Sequence, residues 1–144
     1  MKKTISILLA IIVVFALTAC GKPSEVPYYT TDEETFDIET KYCKLSYPTK
    51  WKEAVSVDIS ETGVYTVSFS AGETKLFDLM FGGSEGYLLG TLTQDGNAVE
   101  IFLNSYDIEK DRLSEDEYLN RLAMSEDVNV IISRLIENYE FNLA

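Results

Sequence analysis

Residues 65–81 read Tyr-Thr-Val-Ser-Phe-Ser-Ala-Gly-Glu-Thr-Lys-Leu-Phe-Asp-Leu-Met-Phe. Large apolar side chains recur at every second position on both sides of a short turn at Ala71-Gly72-Glu73. A period of two is typical of a strand that buries one face, so this stretch predicts two antiparallel strands joined by a tight turn. The side chains expected on the buried face are Tyr65, Val67, Phe69, Phe77, Leu79 and Phe81.

The same alternation recurs before and after this hairpin. Asp95-Gly96 adds a strong signal for a two-residue hairpin turn between two further strands. Strands at a spacing of about ten residues, joined by turns, predict an antiparallel β-meander of about six or seven strands. The other predicted strands are 36–39, 43–47, 55–59, 87–92 and 99–103.

The C-terminal quarter changes to a helical pattern. Ser114 followed by Glu117 matches a capping box at a helix start. After the polar residues 125–127, apolar side chains follow the spacing of an amphipathic helix. The prediction is an α+β fold, in which C-terminal amphipathic helices cover one face of the meander. Residues 35–144 would form one domain of this kind.

The N-terminus has the three parts of a secretory signal. Lys2 and Lys3 precede an apolar run from Ile5 to Leu17. At about 13 residues, this run is short of the roughly 20 that a transmembrane helix needs. Leu17-Thr18-Ala19-Cys20 then resembles the lipobox of bacterial lipoprotein precursors. An ordinary secretory signal followed by a chance cysteine is the alternative.

The lipobox interpretation predicts the processing and the location of the protein. Residues 1–19 would be removed as a signal peptide, and Cys20 would carry a diacylglyceryl group through its sulfur. Residues 20–34, which contain two prolines and no apolar periodicity, would form a flexible tether. The expected location is the outer face of the bacterial cytoplasmic membrane, or the periplasmic face of the outer membrane in a Gram-negative source.

The segment Tyr47-Pro48-Thr49-Lys50-Trp51 ends a predicted strand with Tyr-Pro and places a Trp three residues later. With the meander and the late amphipathic helix, it resembles the PsbP-like group of α+β domains over residues 36–141. The chain also resembles small lipoproteins of Gram-positive bacteria of the Clostridia and other Firmicutes. The PsbP-like resemblance implies an accessory or binding protein and supplies no catalytic residues.

The charge of the chain restricts its partners. The 144 residues contain 12 Lys and Arg against 24 Asp and Glu, and loss of Lys2 and Lys3 with the signal would change the net charge from −12 to about −14. Such a surface is repelled by nucleic acid and by anionic lipid headgroups. We therefore expect no nucleic-acid binding, membrane contact through the lipid alone, and a cationic or envelope protein as partner of a monomer.

Several chemistries are excluded by residue type. The sequence contains no His, which excludes Ser-His-Asp and Cys-His catalysis and His-ligated zinc. Lipidation of Cys20 would leave Cys43 without an intramolecular partner, and its place in an alternating segment predicts a buried side chain. No cofactor other than the lipid is expected.

One acidic segment has part of the spacing of a calcium loop. Asp107, Glu109 and Asp111 occupy positions 1, 3 and 5, but Arg112 and Tyr118 stand where the loop needs Gly and a bidentate Glu. We interpret this segment as a solvated connection, with a weak divalent-ion site as the alternative.

Two hypotheses for function follow. The first is a non-catalytic binding or accessory module of the cell envelope, whose predicted contact residues are Tyr28, Tyr29 and Tyr42 because they lie outside the strand alternation. The second is a His-free envelope hydrolase based on paired carboxylates, for which the sequence marks no particular pair.

Overall fold

The computed structural model describes residues 33–144. The predicted signal peptide, the lipobox Leu17–Cys20, Tyr28, Tyr29 and most of the predicted tether lie outside these residues. The described chain has a roughly α+β arrangement with a mostly antiparallel sheet, as predicted.

The first two strands form a sheet of their own. β1 (Thr35–Glu39) and β2 (Lys44–Pro48) pair antiparallel. β2 ends at Pro48, which has no backbone N–H to donate to a neighbouring strand, and a short 3-10 turn, Thr49–Trp51, follows it.

Six strands form the main sheet in the order β3, β4, β5, β7, β6, β8. The strands are β3 (Ser56–Ser60), β4 (Tyr65–Ala71), β5 (Thr74–Phe81), β6 (Tyr87–Gln94), β7 (Asn97–Ser105) and β8 (Glu140–Leu143). The predicted meander is therefore wrong in two respects. β7 lies between β5 and β6, and the first hairpin is a separate sheet. β8 was not predicted, which raises the number of strands to eight.

The connection from β5 to β6 causes the departure from a meander. Residues 82–86 cross β7, because β7 pairs with β5 on one side and with β6 on the other. Gly82, Gly83 and Gly86 all have positive φ, a conformation that other residues adopt with strain. A Cβ at Gly86 would lie 2.7 Å from the Leu103 carbonyl oxygen, so the crossing needs glycine for space as well.

A single helical segment of 24 residues follows the sheet. The prediction of separate C-terminal helices is therefore wrong. The segment is interrupted once, at Asp127, between α1 (Glu115–Glu126) and α2 (Val128–Asn138). Ser114 and Glu117 form the predicted capping box at its start. Their hydrogen bonds lower the pKa of the exposed Glu117 carboxyl.

The hairpin β1–β2 and the helical segment pack on the same apolar core. The Tyr47 ring lies 5.2 Å from the Phe69 ring of the main sheet, while Ile131 and Leu135 of α2 are fully buried. The predicted inward residues of β4 and β5 are all buried. Two apolar residues at helical spacing, Leu119 of α1 and Ile136 of α2, remain 54% and 39% exposed, so only part of each apolar helix face is buried.

The corner after β2 is fastened to the interruption of the helical segment. The Tyr47 hydroxyl donates a buried hydrogen bond of 2.6 Å to the Met124 carbonyl, in the last turn of α1 where carbonyls lose their helical partners. The Trp51 indole N–H donates to Asp127 Oδ2 over 2.6 Å. Burial, and then the nearby Asp127 charge, raise the pKa of the Tyr47 phenol, which keeps it a donor.

The last strand approaches β6 at a glycine. A Cβ at Gly90 would overlap the Asn142 carbonyl oxygen and would lie 2.7 Å from Phe141 Cζ. Both contacts are closer than a Cβ can tolerate. Gly90 therefore permits β8 to close this edge of the sheet.

We predict that Tyr47→Phe lowers the free energy of unfolding by about 1–3 kcal/mol, because the buried Met124 carbonyl loses its partner. Chemical denaturation followed by circular dichroism measures the change. Tyr87→Phe is the matched control, since Tyr87 is 71% exposed, and should change stability by less than about 0.5 kcal/mol. Equal stability of the wild type and Tyr47→Phe would contradict the role given to this hydrogen bond.

Candidate functional site

Two surface clefts meet at the turn that joins β1 to β2. The turn cleft, of about 560 Å³, lies between residues 39–44, the β6–β7 hairpin and Tyr139. The glycine cleft, of about 490 Å³, lies between residues 61–65 and 81–83, and is also lined by Lys41 and Tyr42. Lys41 and Tyr42 thus form the boundary between the two clefts.

The side chain of Thr40 organises this turn. Its Oγ1 accepts hydrogen bonds from the backbone N–H groups of Tyr42 and Cys43, at 3.2 and 3.0 Å. The same hydroxyl donates to the Cys43 carbonyl over 2.6 Å. Ser and Thr hydroxyls commonly replace backbone partners in turns of this kind. The turn is therefore stabilised by hydrogen bonds between its own residues.

Two tyrosine hydroxyls attach the turn to the rest of the fold. Tyr65 of β4 accepts from the Lys41 N–H over 3.0 Å, and Tyr139, after α2, accepts from the Lys44 N–H over 2.9 Å. Both bonds connect residues that are distant in sequence. They fix the boundary of the two clefts relative to the sheet.

Tyr42, a predicted contact residue, is half-buried in an aromatic cluster. Its ring stacks on Phe81 at 5.1 Å and meets Tyr65 edge-on at 5.3 Å. Lys41 Nζ lies 5.5 Å from the centre of the Tyr42 ring. Tyr42 therefore has a packing role in addition to lining both clefts, and its contact with a partner remains a prediction.

Cys43 is the last residue of the turn and is part of the lining of the turn cleft. Its side chain is 6% exposed, which confirms the predicted burial. Burial raises the pKa of the Cys43 thiol to about 11, against a small opposite effect of the Thr40 hydroxyl. Because the thiolate is the reactive form of cysteine, this site is chemically protected in the folded protein.

A third cavity, the helix cleft, has a volume of about 540 Å³ and lies between the β4–β5 turn, the segment after β7 and α1. Its lining includes three cations and three carboxylates, with Thr74, Tyr106 and Leu113. The charged side chains are Lys75, Arg112, Arg121, Glu73, Asp107 and Glu109.

The predicted acidic segment is divided by this cleft. Asp107 and Glu109 line the cleft and are exposed, whereas Asp111 is exposed and does not line it. Within residues 33–144, no group of three or more His, Cys, Asp or Glu side chains is placed to hold a metal ion. The structure thus brings two of the three weak candidates together and separates the third.

Tyr106 forms one side of the helix cleft. Its hydroxyl donates to Asp78 Oδ2 over 2.6 Å and accepts from Asn104 Nδ2 over 3.2 Å. The bond to Asp78 is the main reason that the pKa of the Tyr106 phenol is raised. The ring is therefore fixed, and Lys75 Nζ lies 5.4 Å from its centre.

The chain enters the described domain at the end opposite to the turn. Glu33 Oε1 lies 2.7 Å from Lys50 Nζ, and the Glu33 carbonyl accepts from Arg134 over 3.2 Å. The Glu34 carbonyl accepts from the Thr49 N–H. The pKa of Lys50 is raised, chiefly by its bond to Glu33. The last two residues of the predicted tether are thus bonded to the domain.

Sequence reasoning did not identify the cations of the helix cleft. Lys75, Arg112 and Arg121 come from three different elements and share no motif. The available signal was the scarcity of basic residues, which makes any cluster of them notable, but only the fold shows that these three meet.

No helix among residues 33–144 has both the length and the apolar character needed to cross a membrane.

Comparison with protein-family models, with curated proteins and with solved structures found no match to this chain.

We predict that Cys43 reacts with a maleimide at pH 8 at least about 100-fold more slowly in the folded protein than in guanidinium chloride, because burial limits access and the raised pKa leaves little thiolate. Cys20→Ala makes Cys43 the sole thiol for this measurement. Similar rates in the folded and unfolded protein would show that the turn does not bury this side chain.

Proposed function

We propose that this protein is a lipid-anchored, extracytoplasmic binding or accessory module of the bacterial cell envelope. The lipobox Leu17–Cys20 supports the anchor, and the meeting of two clefts at Lys41 and Tyr42 supports binding. The second of these observations carries the proposal, because Tyr42 lines both clefts while its ring packs against Tyr65 and Phe81.

The position of the turn supports its use as the contact surface. In the β1–β2 hairpin, Thr35 pairs with Pro48 at the end where the chain enters, and Glu39 pairs with Lys44 at the turn. Five residues of strand separate these ends by roughly 15 Å. A tether leading to Glu33 would hold the entry end nearest the membrane, and the turn would face outward.

Electrostatics favour a cationic envelope protein as the partner. The chain carries twice as many acidic as basic residues, so its long-range field attracts positively charged surfaces. Around the two clefts, Glu39 pairs with Lys44 over 3.3 Å, so the clefts carry charges of both signs and the attraction comes from the acidic surface as a whole. Aromatic rings at Tyr42 and Tyr139 add the apolar and polar contact area that is enriched at protein interfaces.

The lipid anchor is tested by Cys20→Ala. We expect the variant to accumulate as a larger precursor without lipid, since both the attachment atom and the processing signal are lost. Intact mass spectrometry and detergent phase partitioning measure the two effects. Cys43→Ala is the matched control and should be processed normally. Because the uncleaved precursor keeps the apolar run Ile5–Leu17, the mass is decisive, and a variant mass equal to that of the wild type apart from the substitution would refute the anchor.

The contact surface is tested by photo-crosslinking in intact cells. A photoreactive amino acid replaces Lys41, at the turn, or Lys52, at the entry end. Lys52 is a suitable control because it is also exposed and also lies over an aromatic ring, that of Phe36. We expect position 41 to yield a discrete protein adduct that position 52 does not. Adducts of equal yield at both positions, or none at 41, would contradict the assignment.

The electrostatic part of the proposal makes a separate prediction. Capture of the partner by the solubilised protein should decrease steeply as salt is raised, because attraction between exposed charges is screened within about 10 Å at 0.1 M ionic strength. The partner is identified as the protein that forms the adduct at position 41. The fraction of it that stays bound to the captured protein is then compared at low and at high salt. Retention that does not depend on salt would show that the partner is not selected by charge.

A further inference from the structure

We propose that the helix cleft is a binding site for short zwitterionic peptides, with its cations holding the terminal carboxylate and its acidic side chains holding the terminal ammonium group. This site is distinct from the turn and depends neither on the lipid anchor nor on the envelope partner.

The first observation is that the charges of the cleft do not neutralise one another by contact. Among residues 33–144, none of the carboxylates forms an ion pair with Lys75, Arg112 or Arg121, although three carboxylates line the same cavity. Glu117, one turn before Arg121 on α1, contributes only a longer-range attraction. Cationic and acidic side chains therefore line the same cavity without forming ion pairs with one another.

The second observation is the orientation of Arg121. Its Nε donates to Thr74 Oγ1 over 3.0 Å, which uses one edge of the guanidinium group. Its Nη2 lies 3.8 Å from the position of a Cβ at Gly72, so the group extends over the β4–β5 turn. A guanidinium fixed at Nε can still offer its two Nη groups to a carboxylate in bidentate geometry.

The third observation is the fixed aromatic side of the cleft, formed by the Tyr106 ring. Lys75 Nζ lies over the Tyr106 ring, and hydrogen bonds to Asp78 and Asn104 hold that ring in place. Leu113 adds an apolar contact on the cleft lining. The site thus combines charges with a surface for a peptide side chain, in a volume within the range typical of ligand pockets.

The balance of charge selects the class of ligand. Three cations and three carboxylates give the lining no net formal charge, so a phosphate dianion gains from one set and is repelled by the other. A neutral ligand would use neither set. A peptide with both termini free can satisfy both, and its hydrogen bonds to charged groups are stronger than neutral ones.

Isothermal titration of the detergent-solubilised full chain with tri-alanine tests this proposal. We expect N-acetyl-tri-alanine and tri-alanine amide each to bind at least about 10-fold more weakly, because each lacks one terminal charge. Equal binding of all three peptides, tighter binding of inorganic phosphate, or no binding of tri-alanine at about 10 mM would overturn the proposal.

Arg112→Ala and Lys110→Ala form a matched pair of variants. Both residues lie in the exposed 3-10 turn before α1, but only Arg112 lines the cleft, while Lys110 lies over the Tyr118 ring. We expect a loss of at least about 10-fold in tri-alanine affinity for Arg112→Ala alone, with melting temperatures unchanged. Unchanged affinity in Arg112→Ala, or equal loss in both variants, would contradict the site. The peptide affinities do not depend on the turn surface. A failure of crosslinking at position 41 would therefore contradict the proposed function without changing the test of the helix cleft.

Discussion

The fold depends on the junction between the corner after β2 and the interruption of the helical segment. Tyr47 satisfies the Met124 carbonyl at the end of α1, and Trp51 donates to Asp127 at the interruption itself. A break in a helix leaves backbone groups without helical partners, and burying them would be costly. The aromatic corner supplies one of those partners. The same two hydrogen bonds join the helical segment and the first hairpin into one layer over the main sheet.

The local elements of this layer and of the sheet could be predicted from sequence because their signals are local. Alternation in β4 and β5 identifies the buried face, and Ser114 with Glu117 identifies a helix start. The order of strands could not be predicted in this way. A short glycine-rich connection ordinarily indicates a hairpin, but residues 82–86 cross β7 instead, and the choice depends on contacts with a strand that comes later in the chain. β8 was missed because Glu140–Leu143 is short and follows an apolar helical stripe directly.

The same distinction between local and distant information applies to the candidate sites. Tyr42 stood out because it lies outside the alternation, and the structure places it between two clefts. The charged residues of the helix cleft have no such signal, since the β4–β5 turn, the segment after β7 and α1 are brought together only by the folded sheet. A sequence in which acidic residues are abundant also conceals the three carboxylates whose position matters. Geometry, rather than residue type, distinguishes them from the remainder of the surface.

The insertion of β7 between β5 and β6 has a consequence for the kinetics of folding. A true meander could grow by adding successive hairpins, each closing a short loop. Here the second neighbour of β5 is β7, which follows β6 and the Asp95-Gly96 turn in the chain. The second neighbour of β6 is β8, at residues 140–143. Such pairings between distant parts of the chain raise the contact order, and proteins of high contact order fold in milliseconds to seconds. Until residues 140–143 pair with β6, one edge of that strand presents unpaired backbone N–H and C=O groups, to which other unfolded chains can pair while folding proceeds.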